Sequence, residues 1–339
     1  MSAPPPPRPI PRPRRNRRTP AIRAMAAETR LDPGQLIYPL FLHDDPHDVP
    51  LDALPGQTRW SLDGLLAEVG RARSLGIDKI ILFPKIDDPL KHESAQEAWN
   101  PDGLIPHAIR ALKQNHPDVC VITDVALDPY SADGHDGLVS PQGVIENDPT
   151  VDALVQQALC HAHAGADIVA PSDMMDGRVA ALRAALDHHG FTDLAVMAYT
   201  AKYASAYYGP FRGALDSAPR QSTDKTIPGD KKTYQMDPAN VREALRETRL
   251  DQDEGADFIM VKPAGPYLDV VRAVREHTPL PLAAYQVSGE YLMIKAAAAS
   301  GWLDERAVVM ESLLGIRRAG ADVVLTYFAP QAAAWLQEK

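Results

Sequence analysis

Apolar residues along the chain fall into short, nearly continuous runs, separated by longer stretches in which they recur every three or four positions. The runs are LIYPLFL (36–42), GIDKIILFP (76–84), CVITDVAL (120–127), GADIVAPS (165–172), LAVMAYT (194–200), GADFIMVKP (255–263), LPLAAYQV (280–287) and GADVVLTYF (320–328). Four of them begin Gly-x-Asp, and glycine suits the left-handed position that closes a preceding helix. The phrase therefore reads as a helix-to-strand loop. The intervening patterns predict helices over 61–76, 103–115, 149–164, 177–189, 238–254, 267–277 and 305–319.

Eight apolar strands alternating with helices predict a parallel sheet covered by helices. Eight is also the number that closes a barrel, so the expected fold class is α/β, a (β/α)8 TIM barrel. A doubly wound open sheet is the alternative, but no G-x-G-x-x-G follows the first strand. The expected organisation is a basic Pro/Arg-rich arm over residues 1–30 and a catalytic barrel over 31–339, with an active-site lid at about 209–240.

Composition narrows the class. The 339 residues are 45% hydrophobic and 24% charged, ordinary for a globular chain. No window approaches 18 uninterrupted apolar residues, so no transmembrane helix and no membrane partner are expected. The N-terminus lacks the apolar core of a secretory signal. Cys120 and Cys160 are too few and too far apart for a disulfide framework, and a cytoplasmic location is expected.

The formal charge of −10 hides an asymmetry: residues 1–23 hold seven arginines and no acid, which leaves −17 on the remainder. Such an arm cannot bury enough apolar surface to fold alone. It would serve as a nucleic-acid arm, a targeting peptide or a strap across an acidic partner. The acidic body would repel phosphate, so the strap is favoured, with a second copy of this chain as partner and no nucleic acid.

In such a barrel the chemistry sits at the C-terminal ends of the strands. The third run ends in Asp124 and leads into Asp128, Asp133 and Asp136; the fourth ends in Ser172 and Asp173. The fifth delivers Lys202, the sixth Lys262, the seventh Tyr285 and Ser288, and the eighth Tyr327. A lone lysine there would merely snorkel to water. Two in one mouth disfavour each other's charge, and apolar flanks disfavour both, so at least one pKa should fall toward neutrality. A neutral amine attacks ketones to form Schiff bases. Lys262, behind an apolar run and ahead of Pro263, is expected to be that nucleophile.

The stretch 209–240 is polar, rich in Gly and Pro, and carries Arg212, Arg220, Lys225, Lys231 and Lys232. A loop of this length in a compact domain is usually a lid or disordered. Its cations suit carboxylate substrates, with Arg212 able to grip one bidentately. The adjoining Tyr203, Tyr207, Tyr208 and Phe211 favour a docked lid.

These residues resemble a known family, porphobilinogen synthase (5-aminolevulinate dehydratase), from about residue 12 to the C-terminus. The blocks TDVALDPYSADGHDG, APSDMMDGR, AKYASAYYGPFR, YQMDPAN, MVKPAGPYLD, YQVSGEY and RRAGADVVLTYFAP carry the resemblance. It implies a lyase of haem and porphyrin biosynthesis that condenses two 5-aminolevulinate molecules to porphobilinogen with loss of two waters. By the matching blocks, Lys262 would hold the first substrate and Lys202 the second as Schiff bases. Ser288 and Tyr327 would hold the carboxylate of the first, and Arg212, Gln235 and Lys231 that of the second. Asp124, Ser172, Tyr208, Phe211 and Tyr285 would line the pocket.

Many members carry three cysteines for catalytic zinc where this chain has Ala126, Asp128 and Asp136. Carboxylates suit Mg²⁺ rather than Zn²⁺, so the chain is similar to an aspartate-rich, zinc-independent branch. Asp128 and Asp136 would bind a labile Mg²⁺ or K⁺ or, the favoured reading, contact the second substrate's ammonium directly. The branch also implies an allosteric Mg²⁺ at Glu247 and Asp251, although some members need no metal. No organic cofactor is expected. The family further implies a homo-octamer of arm-wrapped dimers. The rivals are another Schiff-base barrel aldolase, disfavoured by the scarcity of glycine for a phosphate nest, and a binding protein that works through its arm.

Overall fold

The Gly-x-Asp phrases recur for a structural reason. In the computed structural model, which describes residues 10–220 and 225–338, three of these aspartates accept a backbone N–H from the neighbouring strand. Asp167 takes Val121 N at 2.8 Å, Asp257 takes Val196 N at 2.8 Å and Asp322 takes Leu282 N at 2.8 Å. Each satisfies a donor at the lower rim, where the sheet ladder begins. The glycine ahead of each is left-handed, as at Gly165 (φ 102°) and Gly320 (φ 130°), where it ends a helix.

The strands are β1 (Leu36–Leu42), β2 (Lys79–Pro84), β3 (Cys120–Val125), β4 (Ile168–Pro171), β5 (Ala195–Lys202), β6 (Phe258–Lys262), β7 (Leu282–Gln286) and β8 (Val323–Thr326). Each is parallel to the next, and β1 closes on β8 with Leu36 opposite Val324. The barrel expectation is met. Leu36, Leu40, Ile80, Val121, Val196 and Leu282 are all buried, as strands covered by helices require.

Helices Leu62–Ser74, Leu104–Asn115, Asn147–Ala164, Arg178–His188, Arg242–Asp253, Leu268–His277 and Glu305–Ala319 lie where the apolar spacing places them. Helices Pro20–Ala26, Ser288–Ala299 and Ala329–Gln337 were not expected. The alanine run of Ser288–Ala299 contains too little polar contrast to register as a stripe.

The ladder is broken in one place, near the upper mouth of the barrel. Ile259 pairs with Ala198 but Val261 pairs with Ala201, so two residues of β5, Tyr199 and Thr200, oppose one residue of β6. That is a β-bulge, which re-aims the side chains beyond it.

The described part of the arm lies exposed, and its arginines make no ion pair among the described residues. Residues 1–9 lie outside the described residues.

Candidate active site

Because β5 and β6 are parallel neighbours in register at their ends, Lys202 stands directly beside Lys262 on one face. Both side chains are buried and line a single pocket at the upper mouth of the barrel. Their surroundings differ sharply.

Lys202 Nζ lies 3.1 Å from Asp136 Oδ1 and also donates to the Ser172 carbonyl. Lys262 Nζ pairs with no carboxylate among the described residues. It sits amid aromatic rings instead, 4.5 Å from the Tyr285 centroid, 5.0 Å from Phe211, 5.1 Å from Tyr199 and 5.2 Å from Tyr208. The ring faces attract a cation, but burial costs more. Desolvation, reinforced by the adjacent Lys202 charge and only partly offset by Asp124, lowers the Lys262 pKa to about 7. A useful fraction of the amine is therefore neutral near pH 7.

The bulge accounts for Tyr199. In a regular strand it would point away from the side that carries Lys202, three positions on; the extra residue lets its ring approach the Lys262 amine while Lys202 lines the pocket. The Lys262 carbonyl accepts from Tyr203 N at 3.0 Å and from the Tyr208 hydroxyl at 3.1 Å, which fixes the end of β6.

Opposite the lysines is a carboxylate cluster. Lys231 Nζ lies between Asp136 Oδ2, at 2.8 Å, and Asp128 Oδ2, at 3.2 Å. The Tyr234 hydroxyl donates to Asp136 at 2.9 Å. Burial alone would raise the Asp136 pKa; Lys202 and Lys231 outweigh it and hold the group well below the usual carboxylate range. Asp124 contrasts with it. Burial pushes its pKa up to about 7 despite the pull of Lys202 and Lys262, and its Oδ1 has no partner among the described residues. Two carboxyls in one pocket are thus set apart, one firmly ionised and one poised to exchange a proton.

Of the other expected site residues, Ser172, Tyr208, Phe211, Lys231 and Gln235 line this pocket. Tyr285, Ser288 and Tyr327 stand behind its wall: Tyr285 and Tyr327 join hydroxyls at 3.0 Å, and Ser288 Oγ accepts from Phe211 N at 3.1 Å. The Arg212 side chain lies outside the described residues. Two of the strand-end aspartates do not join the pocket. Asp133 pairs with Lys225 at 2.6 Å, and buried Asp173 faces Arg178 at 3.7 Å and accepts from Met175 N.

Described residues after Phe211 contact the rim and lining of the pocket. Arg220 bridges Asp88 and Asp216 at 2.7 Å each, Lys225 reaches Asp133, and Lys231 and Gln235 line the pocket. Phe83, Leu215 and Ser217 line the pocket without having been singled out in the sequence. The end of β2 beside a proline would have been the signal for Phe83. Tyr199, Tyr234 and Arg178 were also missed, although each lies in or beside one of the family's sequence blocks.

The residues present do not fit a metal at either expected place. The position between Asp128 and Asp136 is filled by the Lys231 ammonium. At the second place, Asp251 does not stand free beside Glu247: it is 1% exposed and pairs with Arg178 at 3.4 Å. The physical reason is that this face of helix Arg242–Asp253 packs inward, where Arg178 needs neutralising. No group of three or more His, Cys, Asp or Glu side chains among the described residues is arranged to hold a metal.

A family model described as delta-aminolevulinic acid dehydratase matches residues 10–335. The chloroplastic delta-aminolevulinic acid dehydratase of Physcomitrium patens is 61% identical over 325 residues, covering 95% of this chain and 73% of that protein. The chloroplastic enzyme of Glycine max is 58% identical over 322 residues, covering 94% and 76%. The crystal structure of the Toxoplasma gondii ME49 enzyme in complex with its reaction product porphobilinogen superposes with a TM-score of 0.93 at 55% identity, covering 97% of this chain and 92% of that one.

These relatives correct one expectation. A cytoplasmic location was inferred from the cysteines and the missing secretory core, but the similar plant proteins are named chloroplastic. Neither two distant cysteines nor the composition of the first residues distinguishes one reducing compartment from another.

Proposed function

The chain belongs to the delta-aminolevulinic acid dehydratase family and acts as a porphobilinogen synthase, and from that premise we propose that Lys262 and Lys202 each capture one 5-aminolevulinate as a Schiff base. The amine lone pair adds to the ketone carbon; the carbonyl oxygen takes up two protons and leaves as water. Two such events account for the two waters, and each lysine departs as an amine when the new bonds of the ring close. The observation that carries this reading is the side-by-side placement of the two lysines, with Lys262 partly neutral among aromatic rings.

Asp124, with its raised pKa, lies close enough to both lysines to feel their charge and is proposed to pass protons during imine formation. Asp136 and Asp128 would offer carboxylate oxygens to the second substrate's ammonium. Lys231, Gln235 and Arg212 would hold that substrate's carboxylate. Ser288 and Tyr327 would hold the first, after the ring wall that now screens them shifts. The stretch 209–240 would act as the lid that excludes water.

The chain is proposed to belong to the aspartate-rich, zinc-independent branch. An ammonium already neutralises the carboxylates that stand where thiolates would be, and no catalytic step is routed through a metal. Regulatory Mg²⁺ at Glu247 would require donors from another copy. The arm is proposed to wrap a second copy within a homo-octamer, supported by the exposure of its described part, the lack of ion pairs at its described arginines among the described residues, and a family match that already begins at residue 10.

Lys262→Ala tests the assignment. Turnover should fall by at least about three orders of magnitude because the covalent step is lost. A rise in KM with kcat retained would reject it.

A further inference from the structure

We infer that Glu290 is a positioning residue that clamps the segment leaving β6 and thereby aims the Lys262 amine into the pocket. Glu290 stands in the first turn of helix Ser288–Ala299, after β7, yet its carboxylate reaches across to the end of the neighbouring strand. Oε1 accepts from Gly265 N at 2.7 Å. Oε2 accepts from Val287 N at 2.8 Å and from Ala264 N at 3.3 Å.

The Val287 bond alone would be ordinary: a glutamate at this place in a helix often returns to the backbone of the capping residue. That role does not explain the other two bonds, which tie down the residues two and three positions beyond Lys262. Nor does it explain the burial. Glu290 is 8% exposed, and no lysine or arginine pairs with it among the described residues. A buried carboxylate without a cation is costly unless donors surround it. Burial pushes its pKa up to about 7, only partly countered by the same three backbone N–H groups.

The fit is tight on both sides. A Cβ added at Gly265 would lie 2.6 Å from Glu290 Oε1, so a glycine is needed for the carboxylate to approach. From the opposite side, Tyr203 N and the Tyr208 hydroxyl hold the Lys262 carbonyl. The strand end is therefore gripped at the lysine's own carbonyl and again two and three residues beyond it. Glu290 is the only charged side chain among the described residues seen to hold the following loop. Small displacements of a reacting group cost large factors in rate.

The inference rests on Lys262 being a Schiff-base lysine, so the test separates the two. Glu290→Gln keeps the shape but turns an N–H₂ group toward backbone N–H donors. Each protein is incubated with 5-aminolevulinate, trapped with borohydride over a time course, and the adducts at Lys262 and Lys202 are quantified by peptide mass. In Glu290→Gln the trapping rate at Lys262 should fall about tenfold or more, while that at Lys202 stays within about twofold. Gly265→Ala, which displaces the carboxylate without removing it, should show the same selectivity.

If the unaltered enzyme fails to trap at Lys262, the Schiff-base reading falls. If it traps and the variants trap equally fast at Lys262, or lose both lysines alike, the role of Glu290 falls. Loss of the folded barrel in both variants rejects it too, since the carboxylate would then support the fold rather than place the amine.

Discussion

Lys202 and Lys262 occupy facing positions at the final register of two adjoining parallel strands, yet one is paired with a carboxylate and the other is enclosed by rings. Asp136 holds Lys202 in an ion pair, and that ammonium in turn helps discharge its neighbour. The site thus divides the two amines by environment rather than by residue type.

This division fixes the sign of the pH dependence. Lys262 attacks only as the free amine, which predominates above about pH 7 and is lost as the pH falls through that value. The rate of adduct formation at Lys262 should drop on the acid side accordingly. Lys202→Met removes the neighbouring charge and should move this acid limb upward by about one pH unit. Trapping measured across pH in the variant checks this; an unmoved limb would show that the two amines do not communicate.

Lys231 is proposed to do the work of a metal between Asp128 and Asp136. Lys231→Ala should leave Asp128 without its ammonium and Asp136 with Lys202 alone, and cost about 3–5 kcal/mol of stability, read from denaturant melts. Asp128→Asn added to that variant should recover part of the loss. In the unaltered enzyme, chelation followed by Zn²⁺ should give no stimulation. Restoration of activity by zinc would contradict the proposed branch.

Deleting residues 1–23 removes seven arginines, and the six that are described make no ion pair among the described residues. The truncated protein should keep the barrel's circular dichroism and form a smaller assembly by light scattering. An unchanged mass would dismiss the strap between copies.

Much of the fold and the site was legible in the sequence, for identifiable reasons. The Gly-x-Asp phrases mark strand starts because their aspartates terminate the neighbouring ladder, a local requirement that leaves a local signature. Lys202 and Lys262 could be placed at strand ends because proline or aromatic residues follow the apolar runs. Less legible were features made by contact at a distance. Tyr199 comes beside the Lys262 amine through a bulge, which breaks the alternation that sequence reasoning relies on. The pairing of Asp251 with Arg178 was not legible because the two are 73 positions apart. The Glu290 contacts cross between strands, and nothing in YQVSGEY reveals where that carboxylate points.

The most direct measurement is peptide mapping after borohydride reduction in the presence of 5-aminolevulinate. A mass addition on the peptide carrying Lys262, absent in Lys262→Ala, is the expected result. Reduction that labels neither this lysine nor Lys202, while the enzyme still turns over, would contradict imine capture by the paired amines.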